Sequence, residues 1–292
     1  MSTTSTPPSL YVGCPMWANR AWVGHYLPDG TAAGSELVPY SRLLNAVEGN
    51  TTFYGTPSDA TVSKWAQQAA DDFRFVVKAP RAITHERRLR ETQLDLDEFV
   101  NLLEPLDHRL AGITLQFPAS FGPGDLDALD AAARTLSRTV RWSVEVRHSE
   151  FCGGPAMTKL HRLLEGHGME RVVLDTTVLF ARPPTTDAGR EEWRTKPRIP
   201  LLDVALTDRP IVRFIGCDVP ARTEAGLHRW DATLADWIDD GRSPTFFVHT
   251  PDNSTTPELA RAVHDRVRVL VPDLAPLPDP LPIHPTEQRT LF

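Results

Sequence analysis

Only three cysteines occur in 292 residues, Cys14, Cys152 and Cys217, odd in number, scattered and outside any C-x-x-C spacing. That excludes a disulfide framework and a cysteine-rich zinc site. Long apolar runs are lacking as well. No window approaches a membrane span, and the opening MSTTSTPPS has neither a basic n-region nor an apolar h-region, so a cytoplasmic protein with no membrane partner is expected. Positive charge is short: the net charge is −7 and the pI near 5.8, so any attraction for nucleic acid must come from a local patch. No glycine-rich phosphate loop of P-loop or Rossmann type is present, and no nucleotide cofactor is expected. There is no internal repeat and no sign of a second domain.

What is present is a 41% hydrophobic chain, long enough to bury a full core. Eight β-type runs stand out: LYVGC (10–14), AVEGNTTF (46–53), FRFVVKA (73–79), GITLQF (112–117), RWSVEVR (141–147), RVVLDT (171–176), PIVRFIG (210–216) and PTFFVHT (244–250). Most are separated by segments of helical period, such as DATVSKWAQQAA, GDLDALDAAARTLS and DATLADWIDDG. The last helix is marked by Thr256 as N-cap, Pro257 at the first helical position and Glu258 in the first turn. Eight strands alternating with helices predict an α/β fold, a single (β/α)8 TIM-type barrel over 10–271. A disordered N-terminus (1–9) and a proline-rich tail (272–292) flank it. The long stretch 181–200 after strand six is the weakest match to a compact helix, and long loops at that level often carry function.

Side chains alternate faces along a strand, so each polar residue can be assigned a side. RWSVEVR puts Trp142, Val144 and Val146 under the helices and Glu145 and Arg147 inside. The same reading turns Glu48 and Asn50, Lys78, Gln116, Asp175, Arg213 and His249 inward. Parallel barrel strands are normally apolar on both faces, so polar residues recurring near their C-terminal ends mark a candidate site. The competing reading is a buried network in which Glu48, Glu145 and Asp175 neutralise Lys78, Arg147 and Arg213.

The motifs VEGNTTFYGTP, FRFVVKAPRAITHERRL, LQFPASFGP, VEVRH, LDTTVLF, VRFIG and FFVHTPDN occur in the order and at about the spacing of the family called domain of unknown function 72. The resemblance runs from about Val12 to about Leu270. It implies a TIM-type barrel with a polar central cavity and no particular reaction. Many members look like R-F-H-G where this chain has Arg213-Phe214-Ile215-Gly216, a departure that argues against a mechanism needing that histidine, although His249 could occupy nearby space.

Three chemistries fit these residues. Glu145, Asp175 and His249, with His148 or His85, could hold a divalent metal, although no compact ligand spacing exists and a metal is not predicted. Cations at the mouth could bind a phosphate or carboxylate, with Lys78, Arg147, His148, Arg213, Gln116, Asn50, Tyr54 and Asn253 as substrate-binding residues. Glu48, Glu145, Asp175 and His249 are the catalytic candidates, for hydrolase or lyase chemistry on a phosphate-containing or nucleic-acid-related substrate. Alternatives are a non-catalytic barrel binding a small anionic or sugar-like ligand and a metal-dependent sugar isomerase. The closing QRTLF resembles the short Q-L-x-L-F peptides that dock bacterial proteins onto the DNA sliding clamp: Gln288, Leu291 and Phe292 match and Arg289 departs. The six prolines among residues 272–292 read as a linker presenting that peptide.

Overall fold

The computed structural model describes residues 7–284. Within it the β-type runs form one parallel sheet of nine strand segments: β1 (Tyr11–Cys14), β2 (Ala46–Gly49), β3 (Arg74–Lys78), β4 (Leu110–Gln116), β5 (Trp142–Glu145), β6 (Glu170–Arg171), β7 (Val173–Asp175), β8 (Ile211–Ile215) and β9 (Thr245–His249). Their order is β6-β5-β4-β3-β2-β1-β9-β8-β7. The two ends of that order, β6 and β7, are separated in sequence only by Val172, so the sheet curls into a nearly closed, TIM-barrel-like barrel. The expected eight-strand count is corrected here: the run 171–176 is broken in two. Arg171 pairs with β5, Val172 donates its N–H to the Val144 carbonyl, and from Val173 onward the chain pairs with β8.

Helices with an apolar stripe cover the outside of the barrel. In Leu126–Thr135 the buried residues Leu126, Leu129, Ala132 and Ala133 recur at helical spacing, and in Thr256–Leu270 Ala260, Val263, His264 and Val267 do the same. That last helix starts one residue earlier than expected, with Thr255 at the N-cap and Thr256 as its first residue. The stretch 181–200 contains a helix, Asp187–Thr195, whose N-cap Thr186 accepts from the Gly189 N–H at 3.0 Å. Among the described residues no helix is long and apolar enough to cross a membrane.

Inside the barrel, Ala46, Val76, Val172, Ile211 and Phe247 form an apolar plug towards the N-terminal ends of the strands. Polar residues take over above it.

The proline-rich stretch does not leave the barrel at Pro272. Leu274 and Leu277 are 4% and 6% exposed and belong to the main core. The Pro278 carbonyl accepts from Arg261 Nη1, and the Ile283 carbonyl accepts from the Asp29 N–H at 2.8 Å. Leu274 and Leu277 stand three residues apart, the repeat of a polyproline-type chain, so both can face the core, and the prolines around them leave few backbone donors to satisfy. The expected linker is therefore corrected to a strap over 272–284. Gln288, Leu291 and Phe292, the clamp-peptide residues, lie outside the described residues, as do residues 1–6 of the expected N-terminal tail. Ser9 is tied to the barrel by its N–H, which donates to Ser243 Oγ at 3.1 Å.

Truncating either strap leucine opens a cavity in the core. Leu274→Ala and Leu277→Ala should each lower unfolding stability by roughly 2–5 kcal/mol, read by urea denaturation. A free tail would leave the midpoint unchanged.

Candidate active site

Six strands deliver their polar residues to one buried centre at their C-terminal ends. Arg213 of β8 lies at the middle. Its Nη1 donates to Glu145 Oε2 at 2.6 Å and its Nη2 to Glu48 Oε2 at 3.0 Å, while its Nε meets the second Glu48 oxygen. Glu145 Oε1 also accepts from Arg147 Nε at 2.8 Å. Lys78 of β3 donates to Gln116 Oε1 at 2.6 Å and stands 3.8 Å from Glu48 Oε2. His249 of β9 places Nε2 3.3 Å from the same Glu48 oxygen. Asn50, just past β2, donates to Glu48 Oε2 at 2.8 Å and to the Pro15 carbonyl at 2.9 Å. Below them the hydroxyls of Thr114 and Ser143 pair at 2.8 Å.

The electrostatics follow from burial and crowding. Burial alone would raise the Glu48 and Glu145 carboxyls, but Arg213 beside both, helped by Lys78, holds them well below the usual range. Burial, reinforced by the neighbouring Arg213, pulls Lys78 down to about 8 against the pull of the two carboxylates. The same two causes bring His249 down to about 3, so its imidazole is neutral near pH 7. Three cations then face two carboxylates, leaving the centre with one surplus positive charge.

Three expected site residues lie elsewhere. Asp175 has the opposite phase on its strand: Val172 joins the interior plug and Leu174 packs on Ile215, so Asp175 points outward. Its carboxylate accepts from Trp230 Nε1 at 2.8 Å and from Thr177 Oγ1 at 2.6 Å. The expected trio of Glu145, Asp175 and His249 is thus not assembled, and among the described residues no group of three or more His, Cys, Asp or Glu is placed to hold a metal. His148 accepts from the Glu150 N–H and shapes its own turn. Asn253 sits at φ 54°, accepts from the Thr250 N–H and offers its carbonyl to Trp22 Nε1, so it organises the loop after β9. Tyr54, in contrast, is 78% exposed, edge-on to Phe53 at 5.1 Å, and Phe53 meets His85 at 5.0 Å.

Two residues were under-read in the sequence. His85, packed edge-on against Phe53, is pushed down to about 4 by partial burial and by the cation of Arg147. Lys196, at the end of the helix in the 181–200 stretch, also acts on His249. The length of that stretch was the only signal for it.

The profile of the family described as "Protein of unknown function DUF72" matches residues 11–282. Over 270 residues the chain is 35% identical to the UPF0759 protein YecE of Escherichia coli K12, covering 92% of this chain and 96% of that one. Two solved DUF72 family proteins share the fold. The one from Thermotoga maritima is 21% identical over 91% of this chain and all of its own, with a TM-score of 0.64. The one from Enterococcus faecalis is 14% identical over 94% and 99%, with a TM-score of 0.65.

Removing the central cation should be far more damaging than changing Asp175. Arg213→Met leaves two buried carboxylates under-compensated and should cost about 3–5 kcal/mol of unfolding stability, whereas Asp175→Asn keeps an acceptor for Trp230 and should cost about 1 kcal/mol. Equal losses in urea melts would contradict this arrangement. The pH dependence has a definite sign. An unfolded histidine takes its proton near 6.5 but folded His249 only near 3, so its contribution is present above about 6.5 and lost as the pH falls towards 3. His249→Gln should reduce the slope of stability against pH, between about pH 4 and 6, by one proton, about 1.4 kcal/mol per pH unit.

Proposed function

This chain belongs to the DUF72 family, and from that premise we propose an enzyme of hydrolase or lyase type that holds a small phosphate- or carboxylate-bearing substrate in the barrel mouth and moves a proton on it. The observation that carries this reading is the surplus positive charge of the centre together with Lys78 at about 8. In a buried site of low dielectric a single unbalanced cation is a strong attractor for an anion. Arg147, partly exposed above Glu145, is the outermost of the three cations and the first to meet a ligand. Glu48 and Glu145 stay ionised and hold Arg213 in place. Lys78 loses and regains its proton near neutral pH, which is what a general acid-base needs. Exposed Tyr54 offers a face against a ring or sugar. The position agrees with where barrels of this kind carry their chemistry, at the C-terminal ends of the strands. The split strand at Val172 is compatible with a (β/α)8 barrel having one interrupted strand.

A small substrate is favoured over nucleic acid by the loop after β3. Its arginines are engaged by acids of the same chain: Arg81 with Glu86, Arg87 with Asp95, and both Arg88 and Arg90 with Asp125. A nucleic-acid groove would need such cations free for phosphates. Docking onto a sliding clamp through Gln288, Leu291 and Phe292 is a separate part of the proposal and rests on the peptide sequence. A labelled peptide ending PTEQRTLF should bind a bacterial sliding clamp at micromolar concentration in fluorescence anisotropy and lose that binding when Leu291 and Phe292 become Ala.

Sulfate tests the mouth, because it does not titrate between pH 6 and 9. Saturating sulfate should raise unfolding stability by about 2.7 kcal/mol at a hundredfold excess over its Kd. Its affinity should fall as the pH rises through about 8, when Lys78 loses its proton, and Lys78→Met should abolish that pH dependence. Absence of saturable sulfate binding in calorimetry would return the centre to a structural ion-pair network.

A further inference from the structure

The opposite end of the barrel holds a second compartment. Below the plug of Ala46, Val76, Val172, Ile211 and Phe247, at the N-terminal ends of the strands, lies a cavity of about 340 Å³. This is the small end of the range for ligand sites, roughly 300–1,000 Å³. Fully buried Phe247 belongs to the plug that separates it from the charged centre.

The two faces of the cavity differ in chemistry. Val76, Ala111 and Ile211 with the ring of Tyr11 form an apolar patch on its inner wall, beside buried Ser143, Thr245 and Glu170. Its rim carries Arg74, Arg141 and Arg209. Two of these are already fixed in place. Arg74 lies 5.7 Å over the Tyr11 ring and donates to the Asp71 and Phe73 carbonyls. Arg141 donates to both oxygens of Asp208, at 2.6 and 3.1 Å. Glu170, also lining the cavity, is 3% exposed and needs nothing more: it accepts from the N–H groups of Arg171, Leu206 and Thr207 and from the Thr207 hydroxyl. Three arginines against the carboxylates of Asp208 and Glu170 leave one positive charge over.

The N-terminal face of such a barrel is ordinarily packed for stability. Here it keeps an open space with an apolar patch on its wall and a cationic rim. We propose that this cavity binds a small organic monocarboxylate, its hydrocarbon part against Val76, Ala111 and Ile211 and its carboxylate at the arginine rim. The single surplus charge matches one carboxylate rather than a phosphate dianion, and guanidinium groups suit its planar geometry. Arginines already held by Tyr11 and Asp208 lose little freedom on binding, which favours affinity.

Calorimetry with octanoate as the probe, and octanol as its uncharged counterpart, tests the site. Octanoate should bind saturably, with octanol at least tenfold weaker. Arg209→Ala, at the exposed rim, should weaken octanoate about tenfold while melting as wild type does, and Arg74→Ala should weaken it about tenfold while remaining folded. Lys78→Met, beyond the plug, should leave octanoate affinity unchanged. No saturable octanoate binding, equal affinity for octanol, undiminished affinity in folded Arg209→Ala, or loss in Lys78→Met would each overturn the proposal.

Discussion

The guanidinium of Arg213 is the contact on which the interior depends. It bridges Glu48 on one side of the barrel and Glu145 on the other, joining β2, β5 and β8 through one side chain. Two carboxylates so deep in the barrel would each be driven towards the neutral form by burial, and a shared cation keeps them ionised. The consequences spread to the neighbours. The positive charge that steadies Glu48 and Glu145 also adds to the burial that loosens the proton on Lys78 and keeps His249 neutral. Burial and this one cation together set the protonation state of most of the centre.

Such a centre exists because the barrel interior is layered. The apolar plug around Phe247 fills one level and excludes water beneath the charges, which strengthens every interaction above it. The break at Val172 belongs to the same economy of space. The residue turns inward to complete the plug while the chain on either side changes partner from β5 to β8. The strap over 272–284 closes the outside in a similar way, by adding Leu274 and Leu277 to the core.

Much of this was legible residue by residue. The period-two alternation in RWSVEVR separates Val144 and Val146 from Glu145 and Arg147, and that division holds in the fold. It works because β5 has polar residues on one face and apolar residues on the other. In RVVLDT the same rule fails to locate Asp175, since that strand has only one acid amid apolar residues and either phase is acceptable locally. The Trp230 indole that claims Asp175 comes from 55 residues away. Leu274 and Leu277 were hidden for a related reason: a proline-rich composition suggests an extended backbone but does not say whether a surface lies alongside it. His148 and Asn253 have the polarity of site residues, yet their hydrogen bonds serve the turns in which they sit.

The sequence by itself determined the strand and helix alternation, the family, and the inward direction of Glu48, Lys78, Gln116, Glu145, Arg213 and His249. Those features rest on local periodicity and on motif order, which a linear chain carries. Only the tertiary structure decided which of the charges touch, that Asp175 faces the helices, that β6 and β7 are separate segments, and that a cavity lies under the plug. These depend on the register and closure of the sheet. A shift of one residue in a strand exchanges its two faces, and that choice is made by the packing of the whole barrel.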